Sequence, residues 1–242
     1  MLRKISRIIL YSIFPIYLLT MVFVYSNVTD KRLCKDMIIH IIDSIDAPFL
    51  KKNEVERSLI KESKLILNKP FGDINTLNVE RIISQNPIVR KVSCYKTPSG
   101  SVRVDIYQRH PIVRVMGNHG SFFVDDEGAV MPVTNNYTAY VPVLSGNVTK
   151  EMASGEILEL VKYINSDVFW RAQITQIHVL PNKEIELIPR VGKQTIYLGK
   201  IDNYEKKLKK LFLFYEEGLS KIGWNTYKAI NLKYDNQVIG IK

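Results

Sequence analysis

The sequence predicts an α+β protein with an N-terminal transmembrane helix, and three observations carry that expectation. Residues 8–25 (IILYSIFPIYLLTMVFVY) form an uncharged run of 18 residues. Residues 33–109 carry the patterns strand, helix, helix, strand, strand in that order. Residues 110–242 then alternate short β-rich runs with two amphipathic helices, the texture of a mostly antiparallel β region.

At 1.5 Å rise per residue the first run makes a helix of about 27 Å, close to the thickness of a hydrocarbon bilayer core. Ser12 and Thr20 can bond to their own backbone, and Pro15 kinks such a helix without forbidding it. A cleaved signal peptide would have a shorter apolar region and a small-residue cleavage site. The segment Val24-Tyr25-Ser26-Asn27-Val28 has no such site, so an uncleaved anchor is expected. Arg3, Lys4 and Arg7 precede the run, while Lys31, Arg32 and Lys35 follow it, so counting cations does not settle orientation. The short basic tail, residues 1–7, favours an inside position, which exports the remainder.

In the next segment, LCKDMIIHII at 33–42 suits a strand, broken at Ala47-Pro48. Asn53 with Glu56 has the spacing of a capping box, and Val55, Leu59 and Ile60 line a helix reaching about Lys64. A loop containing Pro70 and Gly72 follows. A second helix starts near Thr76, points Leu77, Val79, Ile82 and Ile83 inward, and stops at Asn86-Pro87. Residues 88–96 and 101–109 then form a hairpin about Pro98-Ser99-Gly100. In its return strand Val102, Val104 and Ile106 alternate with Arg103, Asp105 and Tyr107.

After His110-Pro111 come short strands at 112–116 and 121–124, a turn at Asp125-Asp126-Glu127-Gly128, and further strands at 129–133 and 141–144. A helix capped by Ser154 carries Ile157, Leu160, Val161 and Ile164 on one face. Strands follow at 174–180, 185–189 and 195–198. Asp202 is the expected cap of a longer helix, with Tyr204, Leu208, Leu211, Phe212, Tyr215 and Leu219 inward and Lys206, Lys207, Lys209 and Lys210 outward. One last strand is expected from Tyr227 to about Ile241, with Ile230, Leu232 and Tyr234 on one face.

Composition excludes several classes. With 46% hydrophobic and 24% charged residues the chain is neither a disordered tail nor a long coiled coil. Lys and Arg exceed Asp and Glu by ten. Three of those cations lie in the tail; an exported region does not meet the chromosome, so the remaining surplus of seven points to an acidic protein partner or a lipid surface, not to nucleic acid. Cys34 and Cys94 are too few for a disulfide framework or a zinc site; they are small buried hydrophobes or a single bridge. His40, His110, His119 and His178 have no metal-ligand spacing. Nucleophile elbows and glycine-rich phosphate loops are missing, and Asp125-Asp126-Glu127-Gly128 lacks the alternating ligands of a calcium loop. The sequence therefore predicts no catalytic residues, no cofactor, no metal and no small-molecule substrate. Binding is left, and an edge strand near the C-terminus, beside the lysine-bearing helix, is the expected surface.

Several segments resemble one family. Tyr107-Gln108-Arg109-His110-Pro111-Ile112-Val113-Arg114-Val115 is similar to the Q-R-x-P junction of the bacterial FtsQ/DivIB division proteins. Phe122-Phe123-Val124-Asp125-Asp126-Glu127-Gly128 resembles their aromatic–Val–Asp–x–x–Gly segment, and Val143-Leu144-Ser145-Gly146 the hydrophobic–x–Gly that follows it. Lys207-Leu208-Lys209-Lys210-Leu211-Phe212 resembles their late helix, and Ile230-Asn231-Leu232-Lys233-Tyr234-Asp235 their final strand, with Asn231 in place of the usual acidic residue.

The resemblance implies a cytoplasmic tail at 1–7, a transmembrane helix at 8–25, a POTRA domain at 26–109 and a β domain at 110–242 that ends in an edge strand. It implies a non-enzymatic scaffold of the divisome in the bacterial inner membrane, concentrated at the septum. Its partners would be FtsB/DivIC-like and FtsL-like proteins, and its role the control of septal peptidoglycan synthesis. Strand addition to the last strand transfers onto Lys233, Tyr234, Asn236 and Val238. The alternative is a POTRA-containing component of envelope transport or outer-membrane assembly.

Overall fold

The structure, a computed structural model, describes residues 13–24, 31–42, 48–63, 66–117 and 120–242, without the side chains of 60–63. The expected tail, both ends of the apolar run, Ala47, Lys64 and His119 lie outside the described residues. Residues 13–24 are helical (α1). Among the described residues no helix is long and apolar enough to cross a membrane. Packing divides the chain into Met1–Gln108 and Arg109–Lys242.

The first unit is a three-stranded sheet in the order β1-β3-β2, from β1 (Asp36–Ile41), β2 (Val89–Lys96) and β3 (Ser101–Gln108). The alternation in β3 places Val102, Val104 and Ile106 fully inside. That apolar row makes β3 the centre: β2 folds back on it antiparallel and β1 joins it in parallel. A parallel partner requires a crossover. The helices α2 (Lys52–Ser63) and α3 (Thr76–Ser84) supply it, burying Val55, Leu59, Val79 and Ile83. Asn75 caps α3 by accepting the Asn78 N–H at 3.1 Å. The expected capping box at Asn53 does not set the start of α2. The Lys51 carbonyl takes the N–H groups of Glu54 and Val55, so Asn53 falls inside the first turn. Cys34 and Cys94 are buried free thiols.

The second unit holds a nine-stranded mixed sheet in the order β12-β11-β10-β9-β8-β7-β4-β5-β6. Its strands are β4 (Pro111–Gly117), β5 (Gly120–Asp125), β6 (Val130–Pro132), β7 (Val143–Gly146), β8 (Ile174–Val179), β9 (Ile185–Pro189), β10 (Thr195–Gly199), β11 (Ala229–Asn231) and β12 (Ile239–Ile241). Most neighbours pair antiparallel. The parallel pairs β7·β8 and β10·β11 each need a helical crossover, and these supply the helices α5 (Glu156–Ser166) and α7 (Tyr204–Phe214). Leu160, Val161, Ile164, Leu208 and Leu211 pack there with Leu144, Ile177, Leu187, Ile196 and Ile230 in one core.

Other local features also depart from the sequence expectation: Leu77, expected inward on α3, is 72% exposed. Ser154 does not cap α5; it ends a separate helix, α4 (Lys150–Ser154), which Thr149 caps by accepting the Met152 N–H. Gly155 separates α4 from α5. A further helix, α6 (Val168–Gln173), starts at Asp167, whose carboxylate accepts the N–H groups of Phe169 and Trp170. Asp202 does not cap α7 either. Asn203 occupies that position at φ 48°, and Asp202 instead receives the Lys207 ammonium at 2.7 Å. Lys207 is therefore buried, not outward, and also donates to the Lys200 carbonyl.

Candidate partner-binding edge

Ile230 and Leu232 do alternate into the core, and Leu232 N–H still bonds the Tyr197 carbonyl at 2.9 Å. The single strand expected at 227–241 nevertheless breaks. Asn231 turns its side-chain oxygen onto the Lys233 N–H (2.9 Å), a local bond that competes with the ladder. The chain leaves the sheet through Asp235-Asn236 and returns as β12, antiparallel to β11. Two three-residue strands replace the long one. β11 is internal, between β10 and β12, and β12 is the end of the sheet.

The four candidate residues consequently lie in the connection between β11 and β12. The Lys233 aliphatic stem crosses Gly199 (φ +77°), where an added Cβ would meet Lys233 Cγ at 2.8 Å, and its ammonium pairs with Glu184 at 2.5 Å. That hydrogen bond is the main cause holding the Glu184 carboxyl below its ordinary value. Tyr234 is 52% exposed. Its carbonyl and that of Asp235 accept the Lys210 ammonium, which ties the connection to α7. Asn236 is exposed, and Val238 packs partly against the core.

Beyond α7 the helix widens into a π-turn, Tyr215–Leu219, and finishes with α8 (Ser220–Ile222). Such a turn shifts the helix face by one residue. Here Tyr215 and Leu219 stay buried, while Leu213 is 47% exposed. Leu213, Phe214 and Gly218 on this side and Asn236, Gln237 and Val238 on the other enclose a groove of about 380 Å³. Lys210 and Glu217 stand at its rim. Asn236 and Val238 thus meet in one groove; Lys233 and Tyr234 are adjacent in the chain but do not line it.

Sequence reasoning missed β12 and the groove. The signals were present: Asp235-Asn236 is turn chemistry, and Gly240 marks a close approach. A Cβ on Gly240 would lie 2.4 Å from Tyr227 Cε1, so only glycine lets β12 pass over that ring.

No cluster of three or more His, Cys, Asp or Glu able to hold a metal occurs among the described residues. Asp125 is fully buried; its carboxylate is bound by Arg109 and by the N–H groups of Glu127 and Ala129. His178 Nδ1 lies 2.9 Å from Ser145 Oγ, which also accepts from Gln176.

Comparison with known proteins follows the same division. A POTRA-like domain family matches residues 32–107, and the family described as FtsQ/DivIB, C-terminal related, matches residues 110–240. The cell division protein FtsQ of Rhodothermus marinus is 24% identical over 179 residues, 69% of this chain and 65% of that protein. The match thus spans just under two thirds of that relative's length. The major extracytoplasmic domain of the cell division protein DivIB from Geobacillus stearothermophilus aligns at 18% identity and a TM-score of 0.33, over 42% of this chain and 87% of that one. Matched over more than half its length by the FtsQ/DivIB model, the chain belongs to the FtsQ/DivIB family of cell division proteins.

Proposed function

We propose that the protein is a non-enzymatic divisome scaffold that captures a strand of an FtsB/DivIC-like partner, itself joined to an FtsL-like protein, on the outer edge of β12. In this reading residues 8–25 anchor it in the inner membrane. The exported units localise to the septum and couple partner binding to septal peptidoglycan synthesis. The observation that carries the reading is the position of β12 at the end of the nine-stranded sheet, beside a groove with apolar walls. An edge strand offers backbone N–H and C=O groups to an added strand, and a neighbouring groove selects its side chains. Lys209 and Lys206 on the exposed face of α7 favour an acidic partner segment. Tyr234 is the expected anchor, since an exposed tyrosine supplies a large rigid contact with a polar tip.

The test is titration calorimetry of the full chain in nanodiscs against the extracytoplasmic part of the FtsB/DivIC-like partner. Tyr234→Ala is expected to fold and to lose about 2 kcal/mol of binding. Lys233→Ala at the rim is expected to lose about 1 kcal/mol or less. Unchanged affinity in a folded Tyr234→Ala protein would place the interface elsewhere. A fluorescent fusion gives the cellular counterpart: a mid-cell band fits the scaffold, and a uniform envelope signal does not. Two arginines inserted near Leu18 are expected to strand the chain in the cytoplasm, at about 2.5–3.5 kcal/mol per charge.

A further inference from the structure

The second unit contains a larger cleft with no residue in common with the groove beside β12. It has a volume of about 590 Å³ and opens where the parallel strands β4, β7 and β8 begin. Ile112, Val141 and Pro142 make much of an apolar floor, and Arg171, Arg190 and Tyr140 stand around it. The lining contains no aspartate or glutamate. Among the described residues neither guanidinium has a carboxylate partner within ion-pair distance. The nearest acid in sequence to Arg171 is Asp167, whose Oδ1 is committed to capping α6.

Tyr140 is 84% exposed and meets Arg190. The Arg190 guanidinium lies 5.4 Å from its ring centroid and donates to its hydroxyl. A tyrosine–arginine pair over an apolar floor is the composition of a binding hot spot. Two unpaired guanidinium forks favour planar carboxylates. The cleft of about 590 Å³ has room for an apolar side chain, which a flat membrane surface does not offer. We propose that this cleft is a second docking site, separate from the β12 edge, for an extended acidic peptide segment of a partner protein in which carboxylates flank an apolar side chain.

The experiment is fluorescence anisotropy on the full chain in zwitterionic nanodiscs. The probe is a fluorescein-labelled octapeptide of glutamate and leucine, compared with its glutamine counterpart. The acidic peptide is expected to bind at least about tenfold more tightly than the glutamine one, with salt weakening it. The double reversal Arg171→Glu, Arg190→Glu is expected to remove that preference, and Tyr140→Ala to weaken binding several-fold. Arg57→Glu with Lys91→Glu, exposed on the first unit and outside both proposed sites, is expected to leave it unchanged. All these side chains are exposed, so the variants are expected to melt as the parent does. Absence of binding, equal binding of both peptides, or retained preference in the arginine double variant overturns the proposal. Displacement of the peptide by phosphatidylglycerol vesicles from the parent, with direct vesicle binding lost in the same reversals, overturns it in favour of a lipid headgroup.

Discussion

Arg109 and Asp125 form a charge-assisted hydrogen bond of 2.6 Å in which the carboxylate is wholly buried and the arginine 20% exposed. The residue before it, Gln108, bonds within the first unit: its side-chain oxygen accepts the Leu50 N–H. The Gln-Arg pair therefore ties the end of one unit and the start of the next to their own cores. Removing one partner of a buried ion pair leaves an uncompensated charge. Arg109→Ala is expected to destabilise the second unit by about 3 kcal/mol, read by urea unfolding. The Glu127 and Ala129 N–H groups still hold Asp125, which keeps the loss below that of a fully orphaned carboxylate.

Lys207 gives a contrasting case. Its side chain is 6% exposed, while its partner Asp202 is 62% exposed. Asp202→Ala leaves the ammonium with the Lys200 carbonyl, and water replaces part of the lost partner. The expected cost is about 1–2 kcal/mol. Lys207→Met keeps the apolar stem and removes the charge, so it is expected to melt close to the parent. A strongly destabilised Lys207→Met protein would show that the ammonium itself holds the start of α7.

Asp202 and Glu184 are two of the carboxylates that contribute to the acid limb of stability. The Lys207 ammonium holds Asp202 below its ordinary value, and Lys233 does the same for Glu184. A carboxyl group lowered in the folded state contributes stability that is fully present above its unfolded pKa, about 4. That contribution is lost as pH falls through the folded value. The urea midpoint of the parent is expected to exceed that of Glu184→Gln at neutral pH, and the two curves to converge below about pH 4. A gap that persists in acid would assign the effect of Glu184 to something other than its charge.

Cys94 is buried, and desolvation, aided by the charge of Glu80, pushes its thiol up to about 12. The thiolate is the reactive form. Iodoacetamide at pH 8 is expected to leave Cys94 unmodified in the native chain and to alkylate both Cys34 and Cys94 in urea. Mass spectrometry reads the difference. Native-state labelling of Cys94 would mean that β2 opens far more readily than its packing implies.

What was legible in the sequence was whatever a single period could express. Val102, Val104 and Ile106 announced the centre of the first sheet, and Leu208, Leu211, Tyr215 and Leu219 the buried stripe of α7 and its π-turn. Lys207 was misread because its charge outweighed its position. It lies three residues after Tyr204 and four before Leu211, on the inward stripe, where a long side chain can reach a carbonyl and a carboxylate. The helix α6 spans six residues, too short for a period, and only Asp167 marked it. The last strand was misread because one side-chain bond from Asn231 ends a ladder that alternation alone would continue. The Arg171–Arg190–Tyr140 cleft had no sequence signal, since its walls come from segments far apart in the chain that the parallel pairing of β4, β7 and β8 and the antiparallel return of β9 assemble.

The proposed edge rests on three residues of β12, and Gly240 is the one that lets it form. Its backbone passes over the Tyr227 ring, which packs in turn on Phe214 at a centroid distance of 5.9 Å. A methyl group at Gly240 would sit 2.4 Å from Tyr227 Cε1, well inside contact distance, so either the ring or the strand has to move. Tyr227 is backed by Phe214 and the core, whereas β12 has a neighbour on one side and little burial. The strand is expected to yield. Gly240→Ala should therefore raise the hydrogen-exchange rates of β11 and β12 amides while those of β8 and β9 stay protected, and should cost about 1 kcal/mol of global stability or less. Binding of the FtsB/DivIC-like partner should weaken by about tenfold, because the template is no longer held against the sheet. Tyr227→Ala combined with Gly240→Ala removes the clash and should restore part of both the protection and the affinity, a non-additive pair of the kind that contact produces. Slow exchange in β12 of the Gly240→Ala protein would show that the ring moves instead. Normal partner binding by a protein whose β12 has demonstrably detached would remove the edge from the interface and leave the groove between α7 and the 236–238 segment to account for recognition.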